Sequence, residues 1–130
     1  MPRRPSKGPT ERELEILQAL WSGGTCSVRD VHERLSEDER TSFSTVQTML
    51  QVMFDKGLVE RELRGRTFRY RAAVEREETQ RTLLADLLER AFGGSAKALV
   101  SRALDVKRPM ADELDEIQSL LDEARKADDA

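Results

Sequence analysis

Residues 44–71 read STVQTMLQVMFDKGLVERELRGRTFRYR, and the hydrophobic period changes partway through this stretch. Up to Gly57, the apolar residues Val46, Met49, Leu50, Met53 and Phe54 recur at offsets of three and four, the spacing of one buried helix face. The spacing predicts a helix that starts near Ser44, with Gln47 at the capping-box position, and that Gly57 closes. Beyond the glycine the pattern becomes that of strands: Leu58–Leu63 and Thr67–Arg71 are expected to form two short strands joined through Arg64-Gly65-Arg66. This is a hairpin with a basic tip.

Upstream, Thr10 and Glu13 form a capping box, and Leu14, Ile16, Leu17, Leu20 and Trp21 continue at helical spacing to a stop at Gly23-Gly24. After a short extended piece at Thr25-Cys26, Ser27 and Asp30 repeat the capping pattern. They open a second helix with Val28, Val31 and Leu35 inward, which ends in the polar loop Ser36–Thr41. Three helices followed by a hairpin is the order of a winged helix-turn-helix, whose third helix enters the DNA major groove while the hairpin lies against the backbone.

Downstream the text is helical again. Glu75–Phe92 carries Leu83, Leu84, Leu87 and Leu88; Ser95–Val106 carries Leu99, Val100 and Leu104. Pro109 is placed for the first turn of a last helix striped by Leu114, Ile117, Leu120 and Leu121, and Asp128-Asp129-Ala130 is expected to fray. Three helices of this total length bury too little alone, so their apolar faces are expected to close against a second copy of the chain, the alternative being an intramolecular bundle. The fold class is therefore mainly α with a small β-hairpin. The expected organisation is a basic tail over 1–9, a winged helix-turn-helix domain over 10–74 and a three-helix dimerisation region over 75–127.

Composition narrows the function. With 130 residues the chain has room for one ordinary domain or a small domain with an appendage, which excludes a multidomain enzyme. Its apolar stretches are far too short to span a bilayer, so no membrane insertion is expected. Met1–Thr10 lacks the apolar region of a secretion signal, which makes a cytoplasmic location the expectation. The single cysteine, Cys26, rules out an internal disulfide and every multi-Cys zinc pattern; like Trp21, it reads as a core residue. His32 and Cys26 alone make a weak metal signal, and no metal or cofactor is expected. Phosphate loops, nucleophile elbows and His-Glu-x-x-His are all absent, so an enzyme is not expected.

The net charge of −3 argues against nucleic acid only until its distribution is considered. Residues 1–74 hold 13 Lys/Arg against 11 Asp/Glu, whereas residues 75–130 hold 9 against 14. Between Arg40 and Arg71, seven basic residues face three acidic ones, and Arg3, Arg4 and Lys7 add a basic tail. On the third helix the apolar side turns Ser44, Thr45, Thr48, Gln51 and Asp55 outward, with Gln47 at a flank. Hydroxyl and amide groups can read base edges, and a Thr methyl can pack on a thymine methyl. Arg64 and Arg66 at the hairpin tip, and Arg40 with Ser42 before the helix, are candidates for phosphate contacts. A Ser/Thr/Gln face alone is ordinary solvated surface, and Arg-Gly-Arg alone is a common turn; the combination with the preceding helix and the flanking strands carries the inference. The expected partner is a double-stranded DNA operator. The rival reading is a winged-helix protein-interaction module without sequence-specific DNA binding.

Thr45-Val46-Gln47-Thr48-Met49-Leu50, then Lys56-Gly57-Leu58-Val59, then Gly65-Arg66-Thr67-Phe68-Arg69-Tyr70 resemble the penicillinase and methicillin-resistance repressors (BlaI/MecI), a family that includes the copper-responsive CopY repressors. Thr10–Trp21 looks like that family's first helix, and Glu75–Arg125 like its dimerisation region. The resemblance implies a homodimeric winged-helix repressor acting on a dyad-symmetric operator. In the antibiotic-responsive members it also implies a membrane sensor protease and cleavage of the repressor at an Asn-Phe bond. Here Arg102-Ala103 stands at that bond, and there is no cysteine after Cys26 to form the copper branch's Cys-x-Cys motif.

Overall fold

The computed structural model describes residues 8–35 and 41–129. The tail cations Arg3, Arg4 and Lys7, the loop over 36–40 with Arg40, and Ala130 lie outside the described residues. The chain forms two compact units that divide after Asp86.

In the first unit, α1 (Glu11–Gly23) starts from the Thr10/Glu13 capping box and stops at Gly24, whose φ of 72° favours a residue without a Cβ. α2 (Val28–Arg34) likewise starts from a reciprocal Ser27/Asp30 box. The third helix, α3 (Phe43–Asp55), begins earlier than its apolar spacing predicts. Its cap is Ser42, whose hydroxyl accepts from the Thr45 amide, so Ser44 lies inside the helix and Gln47 completes no box. A serine two residues upstream of another offers the same chemistry, and only the backbone path selects between them.

The hairpin differs slightly from expectation, its first strand shifted one residue toward the turn and its second one residue longer: β2 (Val59–Arg64) pairs antiparallel with β3 (Thr67–Ala72). The connecting pair is Gly65-Arg66, with φ positive only at Gly65 (65°), the pattern of a II′ turn that sets Arg66 at the apex. A third strand was not anticipated. β1 (Cys26–Ser27) joins the outer edge of β3 through Cys26 opposite Tyr70 and Ser27 opposite Arg69, giving the order β1-β3-β2. Two extended residues carry no periodic signal, and their partners lie more than forty positions away.

The core draws on every element of this unit: Ile16, Leu17 and Leu20 from α1, Cys26 from β1, Val31 from α2, Val46, Leu50 and Met53 from α3, Val59 from β2 and Tyr70 from β3. Several residues expected inside are less enclosed, Leu14, Val28 and Leu35 among them. Met49 is half-buried, Phe54 is 36% exposed, and Trp21 is half-buried with its indole Nε1 donating to the Val74 carbonyl at 2.9 Å. The polar end of the indole needs a partner, and the chain leaving the sheet supplies it.

α4 (Arg76–Phe92) crosses the division between the units. The second unit also holds α5 (Ala96–Val106), capped by Ser95, and α6 (Ala111–Asp129). Pro109 precedes α6 rather than occupying its first turn: the Met110 carbonyl accepts from the Leu114 amide, which makes Met110 the cap. α6 continues through Asp129, past the expected fraying point, because the strong helix formers Ala124, Arg125, Lys126 and Ala127 contain no breaker. No residue of α5 or α6 is buried.

Candidate nucleic-acid interface

α3 is held in place from both ends. At its start, His32 Nε2 lies 2.9 Å from the Thr41 carbonyl, Arg12 reaches the Thr41 hydroxyl, and the His32 ring meets Phe43 edge-on at 6.0 Å. At its end, the Lys56 ammonium donates to the buried Glu13 carboxylate at 2.9 Å. Burial opposes ionisation of Glu13, but the Thr10 amide and Lys56 outweigh it and hold this carboxyl below its ordinary value. His32 is thus a structural anchor for the approach to α3.

The outward face of α3 presents Ser44, Thr45, Gln47, Thr48, Gln51 and Asp55, all exposed. Their polar groups differ in what is already engaged. The Ser42 hydroxyl lies 3.2 Å from that of Ser44 and 2.8 Å from that of Thr45, so these three form a hydroxyl cluster around the helix cap. Thr48 donates its proton to the Ser44 carbonyl at 3.0 Å, leaving the oxygen lone pairs and the methyl outward. Gln47 has no side-chain partner among the described residues. Gln51 donates to Asp55 at 3.2 Å and accepts from Arg61 at 2.6 Å. The exposed face also includes Val52, at 43% exposure, which the sequence reading passed over. Two positions past the buried Leu50, it lies about 200° around the helix, so a strict helical wheel would have found it.

The basic surplus of the hairpin is largely paired. Arg64 meets Glu62 at 3.0 Å, Arg71 meets Glu60, and Arg69 stands 3.9 Å from Asp30. The Glu60 hydrogen bond and charge favour the ionised form of Arg71 further, and the Ser27 amide and hydroxyl lower the pKa of Asp30. Arg61 lies over the rings of Phe54 and Phe68. Arg66, at the wing apex, makes no ion pair among the described residues. Of the two tip arginines named from sequence, one is therefore tied to a neighbour and one is open to solvent. Charge counting could not separate them, because cross-strand and same-strand pairs depend on register.

Cys26 is buried and its Sγ lies 3.6 Å from the Gly24 carbonyl; burial raises the pKa of its thiol, as expected of a small core residue. Among the described residues no group of three His, Cys, Asp or Glu side chains could hold a metal ion, and no helix is long and apolar enough to cross a membrane.

The dimerisation candidates fall into two sets. Leu83, Leu88, Leu99 and Ile117 are half-buried, whereas Leu84, Leu87, Val100, Leu104, Leu114 and Leu121 are exposed.

The sequence profile of the penicillinase repressor family matches residues 9–123. The chain is 34% identical over 113 residues to the transcriptional regulator BlaI of Mycobacterium tuberculosis, a match covering 85% of this chain and 80% of that protein. It is 25% identical over 114 residues to the penicillinase repressor of Bacillus licheniformis, covering 88% and 89%. A solved structure of monomeric Bacillus licheniformis BlaI in complex with the blaP half-operator is similar at TM-score 0.47 and 27% identity, covering 60% of this chain and 93% of the other.

Proposed function

The chain belongs to the penicillinase repressor family, and on that footing we propose that it is a DNA-binding transcriptional repressor, acting in the cytoplasm as a homodimer on a dyad-symmetric operator and catalysing no reaction. The observation that carries this reading is the outward face of α3, a run of hydroxyl and amide side chains on a helix anchored at both ends, beside a wing whose apex arginine makes no ion pair among the described residues. Such a helix fits the major groove. Thr48, with its donor already engaged, suits a base amino group or a thymine methyl; Gln47 can donate and accept, and Val52 adds a second apolar contact of the same kind. Ser42, Ser44 and Thr45 surround the helix N-terminus, where backbone amides and hydroxyls suit a phosphate. Arg66 suits the backbone, and Arg64 can join it only by leaving Glu62. Arg40 belongs to the same set through its position before the helix.

Dimerisation through α4–α6 places two such helices on successive major-groove faces, about one helical turn or a small multiple apart. Occupancy of the operator then blocks transcription initiation. A sensor protease partner would act here on a different sequence from the family's Asn-Phe bond, since Arg102-Ala103 lies within α5 and Arg102 pairs with Asp105 at 3.2 Å.

The test is binding of the purified protein to fragments of its own genome. A subset should be retained over bulk DNA, and affinity should fall with salt at a log–log slope of about −0.9 per phosphate neutralised. Absence of any preferred fragment at low salt would favour the protein-interaction module instead.

A further inference from the structure

Arg61 is surrounded differently from every other cation of the hairpin. Its strand neighbours Glu60 and Glu62 pair with Arg71 and Arg64, and successive strand residues point to opposite faces, so neither carboxylate shares its side. Its guanidinium carbon instead lies 4.0 Å from the centre of the Phe54 ring and 4.2 Å from that of Phe68, and its Nη1 donates to Gln51 Oε1 at 2.6 Å. These partners come from α3 and β3, while Arg61 itself sits on β2. One planar cation thus joins the third helix to both strands of the wing. It also fixes the side-chain amide of Gln51, whose other end is held by Asp55.

We propose that Arg61 is a positioning residue for sequence readout: it sets the wing against α3 and locks the orientation in which Gln51 meets a base pair, without itself neutralising a phosphate. The inference rests on the DNA-binding reading above. Its physical basis is that a guanidinium stacked on two rings and hydrogen-bonded to an amide is held in one orientation, which a flexible ammonium cannot reproduce. An amide held in one orientation meets base edges with a defined donor and acceptor order, whereas a freely rotating amide discriminates less.

The experiment uses the full chain, a duplex selected by the wild-type protein from a random-sequence pool, and a scrambled duplex of the same length. Arg61→Lys, which keeps the charge, should lose roughly tenfold in preference for the selected duplex. Its affinity for the scrambled duplex and its salt slope should stay at wild-type values. Phe68→Leu, which leaves Arg61 in place, should reproduce part of the loss. Base preferences should relax at the position that Gln51→Ala also relaxes, and the two substitutions combined should cost less than the sum of their separate effects. Wild-type selectivity in Arg61→Lys, or a salt slope lowered by about 0.9 in Arg61→Ala, would overturn the proposal and make Arg61 an ordinary phosphate contact. A wild-type protein that selects no sequence at all would instead overturn the DNA-binding reading beneath it.

Discussion

In the proposed DNA complex Thr48 and Arg66 carry opposite kinds of information, although both are exposed polar residues. Thr48 offers a fixed hydroxyl oxygen and a methyl from a rigid helix, so its contact depends on which base lies opposite. Arg66 offers a solvent-exposed charge from the apex of a turn, and every phosphate is equivalent to it. Thr48→Ala should therefore weaken the preferred duplex by about 1–3 kcal/mol and leave bulk DNA nearly unaffected. Arg66→Ala should weaken both alike and reduce the salt slope by about 0.9. Gel-shift titrations of both variants on both duplexes measure this, and parallel losses would show that the two roles are wrongly assigned. Residue types were readable in advance, but their engagement was not: Gln51 is bonded to Arg61 on another element, and charge counting does not show that Arg64 is held by Glu62 while Arg66 is not.

Between elements, Glu13 ties the start of α1 to the residue that ends α3, and so helps to hold the reading helix. Its carboxyl titrates below its ordinary value of 4.5 in the folded chain. Unfolding returns it to that ordinary value, so the folded state binds its proton less readily. The stabilisation is complete above the unfolded value and is lost as pH falls through it to the lower folded value. Glu13→Gln should cost roughly 1–2 kcal/mol at neutral pH. The gap between its melting curve and that of the wild type should close as pH is lowered through the acid range. Thermal melts at stepped pH check this; a gap that stays constant would mean that the Lys56 pair contributes nothing through charge. The capping box was visible in Thr10 and Glu13, whereas the ion pair with Lys56, 43 positions away, was not.

For the whole molecule, the second unit poses the energetic question, since α5 and α6 have no buried residue in a single chain. Helices derive most of their stability from packing an apolar face, and one as short as the 11-residue α5 is marginal without it. In the proposed homodimer, a second copy of the chain supplies that covering. Leu87 is 48% exposed. Leu87→Asp should therefore spare the fold of the first unit while converting the proposed dimer to a monomer in sedimentation. Operator affinity should fall with it, because two half-site contacts are no longer joined. A dimer that survives this change would place the interface on other residues.

The capping boxes of α1 and α2, the apolar faces and the turn glycines could be read directly from the chain because each depends on neighbours within about one helical turn or one hairpin. That local grammar was enough to identify the winged architecture and the outward face of its third helix. The third strand at Cys26–Ser27, the choice of Ser42 as cap, and the division of the arginines into paired, stacked and open depend on contacts between segments far apart in sequence. Register, backbone path and the competition of several carboxylates for several cations settle those, and such quantities exist only once the chain has closed on itself.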